Sequence, residues 1–80
     1  DAWNKCTLAK DIVSRACKAA KKTPEGKGLL NGQLIKQVSG YAAKNKSECL
    51  AECVADYAAN GSKAKPLSIA VWNELKKELG

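Results

Sequence analysis

Residues 5–22 read KCTLAKDIVSRACKAAKK. Within them Cys6, Ala9, Ile12, Val13, Ala16, Cys17 and Ala20 recur at intervals of three and four, the spacing of one helical face. Lys10, Arg15, Lys18, Lys21 and Lys22 fall mostly off that stripe. The segment therefore predicts an amphipathic helix over about 5–22 with two cysteines on its apolar side. Lys21 and Lys22 fall in its last turn, where positive charge suits the helix dipole. Thr23-Pro24 stops it, because the residue before proline avoids helical angles. Residues 24–28 then read as a loop.

The other two cysteines repeat the pattern. Cys49, Leu50, Cys53, Val54, Tyr57 and Ala58 form a second stripe, with Ser47 as the expected N-cap and Glu48 in the first turn. Asn60-Gly61 ends this helix. Cys6 and Cys17 lie ~16 Å apart along one continuous helix. A disulfide spans Cα separations of only ~4.4–6.8 Å, so those two cannot pair. A bridge between Cys49 and Cys53, one turn apart, constrains almost nothing. The expectation is cross-pairing of the first helix with the third. Antiparallel packing gives Cys6–Cys53 with Cys17–Cys49, and parallel packing gives Cys6–Cys49 with Cys17–Cys53. Both remain open from the sequence. A bridge closing a loop of roughly 30–50 residues contributes about 3–4 kcal/mol in the loop-entropy view. That is large beside the ~5 kcal/mol a small domain holds in total.

Two further segments complete the fold. Leu30, Leu34, Val38, Tyr41 and Ala42 keep a helical period, while Asn31-Gly32 is also a hairpin turn signal. A lone two-stranded ribbon is marginal in water, which favours a helix over about 31–43, weakened near Gly40 and with Asn31 as a candidate N-cap. Pro66 suits a first helical position, and Leu67, Val71, Leu75 and Leu79 follow every four residues, flanked by Ala70 and Trp72. The expected fold is all-α: one domain, 1–80, a small orthogonal or up-down bundle of three to four helices stapled by two disulfides.

Composition narrows the function classes. At 80 residues with 13 alanines, the core is thin and a staple is welcome. No run approaches the ~18 apolar residues of a membrane span. The chain has no histidine, which removes the commonest general base and metal ligand. Glu48, Glu52 and Asp56 sit at solvent-type helix positions, without an apolar pocket to raise a carboxyl pKa, so they do not read as catalytic. No phosphate loop and no nucleophile–base pair is present, so no enzyme, no catalytic residue and no cofactor are expected. Four cysteines admit a zinc site in principle, but the Cys6–Cys17 interval does not match zinc-finger spacing. No metal is expected. With four aromatic residues and no recognition motif, nucleic acid is not an expected partner. High alanine content argues for close helix packing and against a carrier of apolar ligands.

Charge is the remaining functional signal. The net charge is +6. Lys10, Lys18, Lys21, Lys22, Lys27, Lys36, Lys44 and Lys46 all lie in the first half, while residues 47–80 carry a slight acidic excess. Part of the basic face of the first helix has a natural internal partner in the acidic stripe Glu48, Glu52, Asp56. Lys27, Lys36, Lys44 and Lys46 have none in view and suit an external anionic partner. The sequence begins Asp1-Ala2-Trp3, which reads as a mature chain cut from a precursor and, with the even cysteine count, as a secreted one. Asn45-Lys46-Ser47 and Asn60-Gly61-Ser62 are glycosylation triplets. Trp3 precedes the first helix, either as a lid on the core or as an interface aromatic. These features together point to a secreted cationic toxin or defence protein acting at an anionic membrane surface. The alternative is a secreted signalling or effector protein that binds a cell-surface receptor without lysis.

Overall fold

The computed structural model describes residues 5–79, with side chains from 9 to 78; Trp3 and the side chain of Cys6 lie outside them. The described chain is all-helical. α1 spans Lys5–Ala20, α2 Asn31–Val38, α3 Lys46–Asn60 and α4 Pro66–Leu79, with single 3₁₀ turns at Tyr41–Ala43 and Gly61–Lys63. α1, α3 and α4 pack against one another, α2 touches all three, and the turn after it packs on α3. The core is where the stripes meet: Ile12, Val13, Ala16, Cys17, Leu34, Cys49, Cys53, Leu67 and Val71 are all sealed from solvent.

Each boundary has a local cause. α1 ends at Ala20, two residues short of the expected Lys22. In a continuing helix the Ala20 carbonyl would accept from residue 24, but that residue is proline and has no N–H. The Thr23 hydroxyl takes the carbonyl instead at 2.6 Å, and the Thr23 oxygen accepts from the Gly26 N–H at 3.1 Å. The loop thus folds under the helix end. Any Cβ on Gly26 would lie 2.1 Å from the Ala20 oxygen, so only glycine fits there.

The second segment is helical, not a hairpin, but α2 stops at Val38 instead of running to 43. Leu30, not Asn31, is its cap residue, and the Leu30 N–H donates to the Gln33 side chain at 2.8 Å. Ser39 ends the helix in extended backbone because its side chain is engaged elsewhere. Its hydroxyl donates to Glu52 of α3 at 2.9 Å and accepts from the Ala42 N–H at 3.1 Å. A tertiary bond to α3 therefore sets this boundary.

α3 begins one residue earlier than Ser47 implies. Asn45 is the cap, its side-chain oxygen accepting from the Glu48 N–H at 2.8 Å. The far end of α3 follows expectation: Gly61 has a φ of 56° and donates its N–H to the Tyr57 carbonyl. Pro66 opens α4 as its first residue. Trp72 sits at the core edge, half-buried and stacked on Tyr57 with ring centroids 5.0 Å apart.

The relative directions of the helices follow from shared contacts. Ala19 and Thr23 at the end of α1 line one hollow with Pro66 and Ile69 at the start of α4, while Arg15 reaches Glu74 and Glu78 farther along α4. α1 and α4 are therefore antiparallel. The start of α3 shares a hollow with Lys10 of α1, and Cys17 of α1 lies in one core cluster with Cys49 and Cys53 of α3.

Candidate functional site

Two groups of residues carry chemistry in this fold: the lysines on the surface and the thiols in the core. Lys10, Lys18, Lys21, Lys22, Lys27, Lys36, Lys44 and Lys46 are all exposed. Among the described residues, Arg15 and Lys77 are the cations in ion pairs, so none of the eight is tied to a carboxylate.

The expected pairing of the basic face of α1 with the acidic stripe of α3 does not occur among those residues. Helix packing places other groups together. Arg15 turns to α4, with its Nε 3.3 Å from Glu74 and its guanidinium donating to Glu78 at 2.7 Å. The hydrogen bond to Glu78 and the surrounding carboxylates hold the Arg15 pKa above its ordinary value. Glu74 is only 7% exposed and has a second partner in Lys77 at 3.1 Å. The acidic stripe is occupied locally: Glu52 accepts from Ser39, and Asp56 accepts from the Asn60 amide at 2.7 Å and the Lys65 N–H at 2.9 Å. Partial burial alone would raise the Asp56 pKa, but the Lys65 N–H and the Asn60 amide that donate to it hold it below the usual range.

The result is a basic tract whose lysines have no carboxylate partner among the described residues. Between Glu25 and Glu48 the chain contains four lysines (27, 36, 44 and 46) and no acidic residue. That tract comprises the loop before α2, α2 itself, the 3₁₀ turn and the start of α3. It also carries the two exposed large hydrophobics of the described chain, Leu30 at 69% and Tyr41 at 65%. Lys44 places its ammonium 5.7 Å from the centre of the Tyr41 ring. Lys10 of α1 joins the edge of the tract, sharing a hollow with Asn45, Lys46, Ser47 and Glu48. Leu30 and Tyr41 could not be told from core residues by sequence, because both continue the helical period that marks a core stripe.

The thiols form the second group. Cys17, Cys49 and Cys53 are 1%, 0% and 0% exposed and belong to one core cluster. They are free thiols in this structure, so the expected staple is not formed among the described residues. Cys53 lies one turn from Cys49, and each bears on the other's ionisation: Cys49 is held below, and Cys53 above, the ordinary thiol range by the hydrogen bond they share. Burial raises Cys17, and the neighbouring Cys49 raises it further. No group of three or more Cys, Asp or Glu among the described residues is arranged to hold a metal ion.

A hollow of about 620 Å³ opens between the end of α1 and α4. Its walls mix Ile69 and Ala70 with Glu25, Asn73, Glu74 and Lys76, and it is open to solvent. This is unlike an enclosed apolar ligand site. No helix of the described chain is long and apolar enough to cross a membrane. The chain matches no known protein family, no curated protein and no solved structure.

Proposed function

We propose that this chain is a secreted, non-enzymatic cationic toxin or defence protein that acts at an anionic cell surface. The observation that carries the reading is the set of eight exposed lysines with no carboxylate partner among the described residues. Maintaining such a set costs self-repulsion, which an anionic partner relieves. Each lysine held close to an anionic bilayer gains about 1 kcal/mol at moderate salt, so several acting together suffice for adsorption.

The burial pattern specifies how contact is made. The apolar stripe of α1 from Ala9 to Ala20 is sealed in the core, so this helix cannot lay that face on lipid while the domain is folded. Contact falls instead to the tract 26–47, where lysines supply attraction and Leu30 and Tyr41 supply exposed apolar surface. Disulfides belong to the same reading. In an oxidising compartment, bridges between α1 and α3 would hold a thin core together during attack on a target cell.

The test is dye release from vesicles of phosphatidylglycerol with phosphatidylcholine, against phosphatidylcholine alone, at low and physiological salt. Release confined to anionic vesicles and weakened by salt is the expected result. Replacing Lys27, Lys36, Lys44 and Lys46 together by glutamine should abolish it. Absence of both release and vesicle binding at micromolar protein overturns membrane action. The second reading is a secreted signal or effector that binds a protein receptor. It is favoured by the same burial of α1, which leaves a folded, polar surface with, among the described residues, one exposed aromatic, Tyr41, beside lysine.

A further inference from the structure

The chain contains two Asn-Gly pairs, Asn31-Gly32 and Asn60-Gly61. Asparagine before glycine is chemically labile, because no Cβ shields the glycine nitrogen from the asparagine side-chain carbonyl. Whether that nitrogen attacks depends on what holds the two residues. The fold treats the pairs differently. Asn60 closes α3, where its amide donates to Asp56 at 2.7 Å and the half-buried Gly61 donates its N–H to the Tyr57 carbonyl. Asp56 is fixed in turn by the Lys65 N–H at 2.9 Å. Asn31 and Gly32 open α2, and both are exposed. The first backbone bond of α2 runs from the Leu34 N–H to the Leu30 carbonyl at 3.0 Å, so the Gly32 N–H lies ahead of the ladder and has no backbone acceptor among the described residues. The side-chain bond of that turn belongs to its neighbours, Leu30 and Gln33, and leaves Asn31 without a partner among the described residues.

We propose that Asn31-Gly32 is a self-modification site, at which Asn31 converts through a cyclic imide to aspartate and isoaspartate and so places a negative charge in the basic tract. Ring closure turns the Asn31 backbone out of its helical angles. At the first residue of a helix that releases only end bonds, where fraying is ordinary. At Asn60 the same motion must break a bond to a carboxylate and a helix cap together. Between Glu25 and Glu48 the chain holds four lysines and no acidic residue, so one new carboxylate lowers the tract from +4 to +3. The consequence for target binding rests on the reading of the tract as the anionic contact; the conversion itself does not.

The chemistry needs only water. The Gly32 nitrogen gives its proton to solvent and attacks the Asn31 Cγ. The Cγ–Nδ2 bond breaks, and ammonia leaves after taking a proton from solvent. The product is a five-membered succinimide joining the Asn31 side chain to the Gly32 nitrogen. Water then adds to either ring carbonyl. Opening at Cγ gives aspartate, and opening at the main-chain carbonyl gives isoaspartate, in which the backbone runs through the former side chain. One water is consumed, one ammonia is released, and nothing is oxidised or reduced. Aspartate at the start of α2 suits the helix dipole, whereas isoaspartate lengthens the backbone and disrupts the first turn.

The experiment incubates the full chain, thiols kept reduced, in warm and mildly alkaline buffer, beside a second sample in guanidinium chloride. Trypsin then releases residues 28–36, whose one asparagine is Asn31, and residues 47–63, whose one asparagine is Asn60. In the folded chain the mass of 28–36 should rise by one unit, in two chromatographic products, roughly tenfold faster than that of 47–63, because only Asn60 must first give up a bond to a carboxylate. In guanidinium chloride the two rates should converge. Conversion of 47–63 in the folded chain as fast as 28–36, or no conversion of 28–36 while the denatured sample converts, overturns the proposal. Gly32→Ala adds a Cβ with nothing within 4 Å and suits a helix, so this variant should fold and keep Asn31 intact. On vesicles containing phosphatidylglycerol the converted chain should bind about fivefold more weakly than fresh chain, one charge's share of the attraction. The Gly32→Ala chain should bind equally before and after incubation. Equal binding by converted and fresh chain overturns the discharge of the tract. Fresh chain that binds no vesicles removes the membrane reading, and the mass shift still decides the site.

Discussion

Ser68 offers the sharpest check on the packing of this core, because its side chain is fully buried and its hydroxyl has no hydrogen-bond partner. A buried hydroxyl that leaves water without a replacement bond costs about 1–3 kcal/mol. Changing Ser68→Ala removes that cost and adds roughly 0.5 kcal/mol of helix propensity inside α4. Against this stands the loss of one oxygen's packing, for which a cost below about 1 kcal/mol is reasonable on the scale of small core deletions. The net expectation is stabilisation by about 1 kcal/mol or more, which raises the thermal midpoint of a domain this size by roughly 4–8 °C for each kcal/mol. The assay is circular dichroism melting at neutral pH with urea titration alongside, both under reducing conditions so that thiol state is constant. An unchanged urea slope with a higher midpoint concentration identifies native-state stabilisation. A fall in the midpoint would refute the reasoning. It would mean that the hydroxyl finds a bond to its neighbour Cys53 or Asp56 after all.

Further predictions address the local bonds that set the architecture. Asn45→Ala removes the α3 cap and should cost about 1 kcal/mol in urea unfolding; no loss would show that Ser47 substitutes for it. Asp56 has a depressed pKa in the folded state, so its contribution is present above the unfolded value of 3.8 and is lost as pH falls through the lower, folded value. Stability should therefore drop below about pH 4, and Asp56→Asn should flatten that drop in melts taken from pH 7 down to pH 2; an identical acid profile in the variant would rule the residue out. Arg15→Met leaves the buried Glu74 with Lys77 alone and should lower the thermal midpoint, with Glu74→Leu added in the same chain restoring it. A single variant that melts like the parent would show the pair to be energetically idle. Leu67→Ala opens the sealed centre of the bundle and should cost about 2–5 kcal/mol by denaturant titration; a cost under 1 kcal/mol would mean the helices close the gap.

The helices and their inward faces were legible from residue spacing alone. Spacings of three and four place Ile12, Val13, Cys17, Cys49, Cys53, Leu67 and Val71 on apolar stripes, and all are sealed in the core. Pro66 and Gly61 set boundaries through their own backbone chemistry, which needs no partner from elsewhere. These are local properties, and local sequence encodes them. The lysines could likewise be named in advance, because an unpaired long cation goes to water wherever the chain leads.

Tertiary structure decided what meets what. Ser39 cuts α2 short because Glu52 of another helix receives its hydroxyl, a contact 13 residues away in sequence. Arg15 finds Glu74 and Glu78 across 63 residues at its farthest bond, in place of the acidic stripe of α3. Tyr41 follows a core period yet faces solvent because the chain turns at Ser39 and Gly40, and Leu30 does so because it stands in extended backbone as the cap before α2 begins. Cys17 of α1 and Cys49 and Cys53 of α3 end in one core cluster with Leu34, Leu67 and Val71, because the stripes of all four helices pack together. Periodicity says which side of a helix is buried; only the packing of all four says against which neighbour.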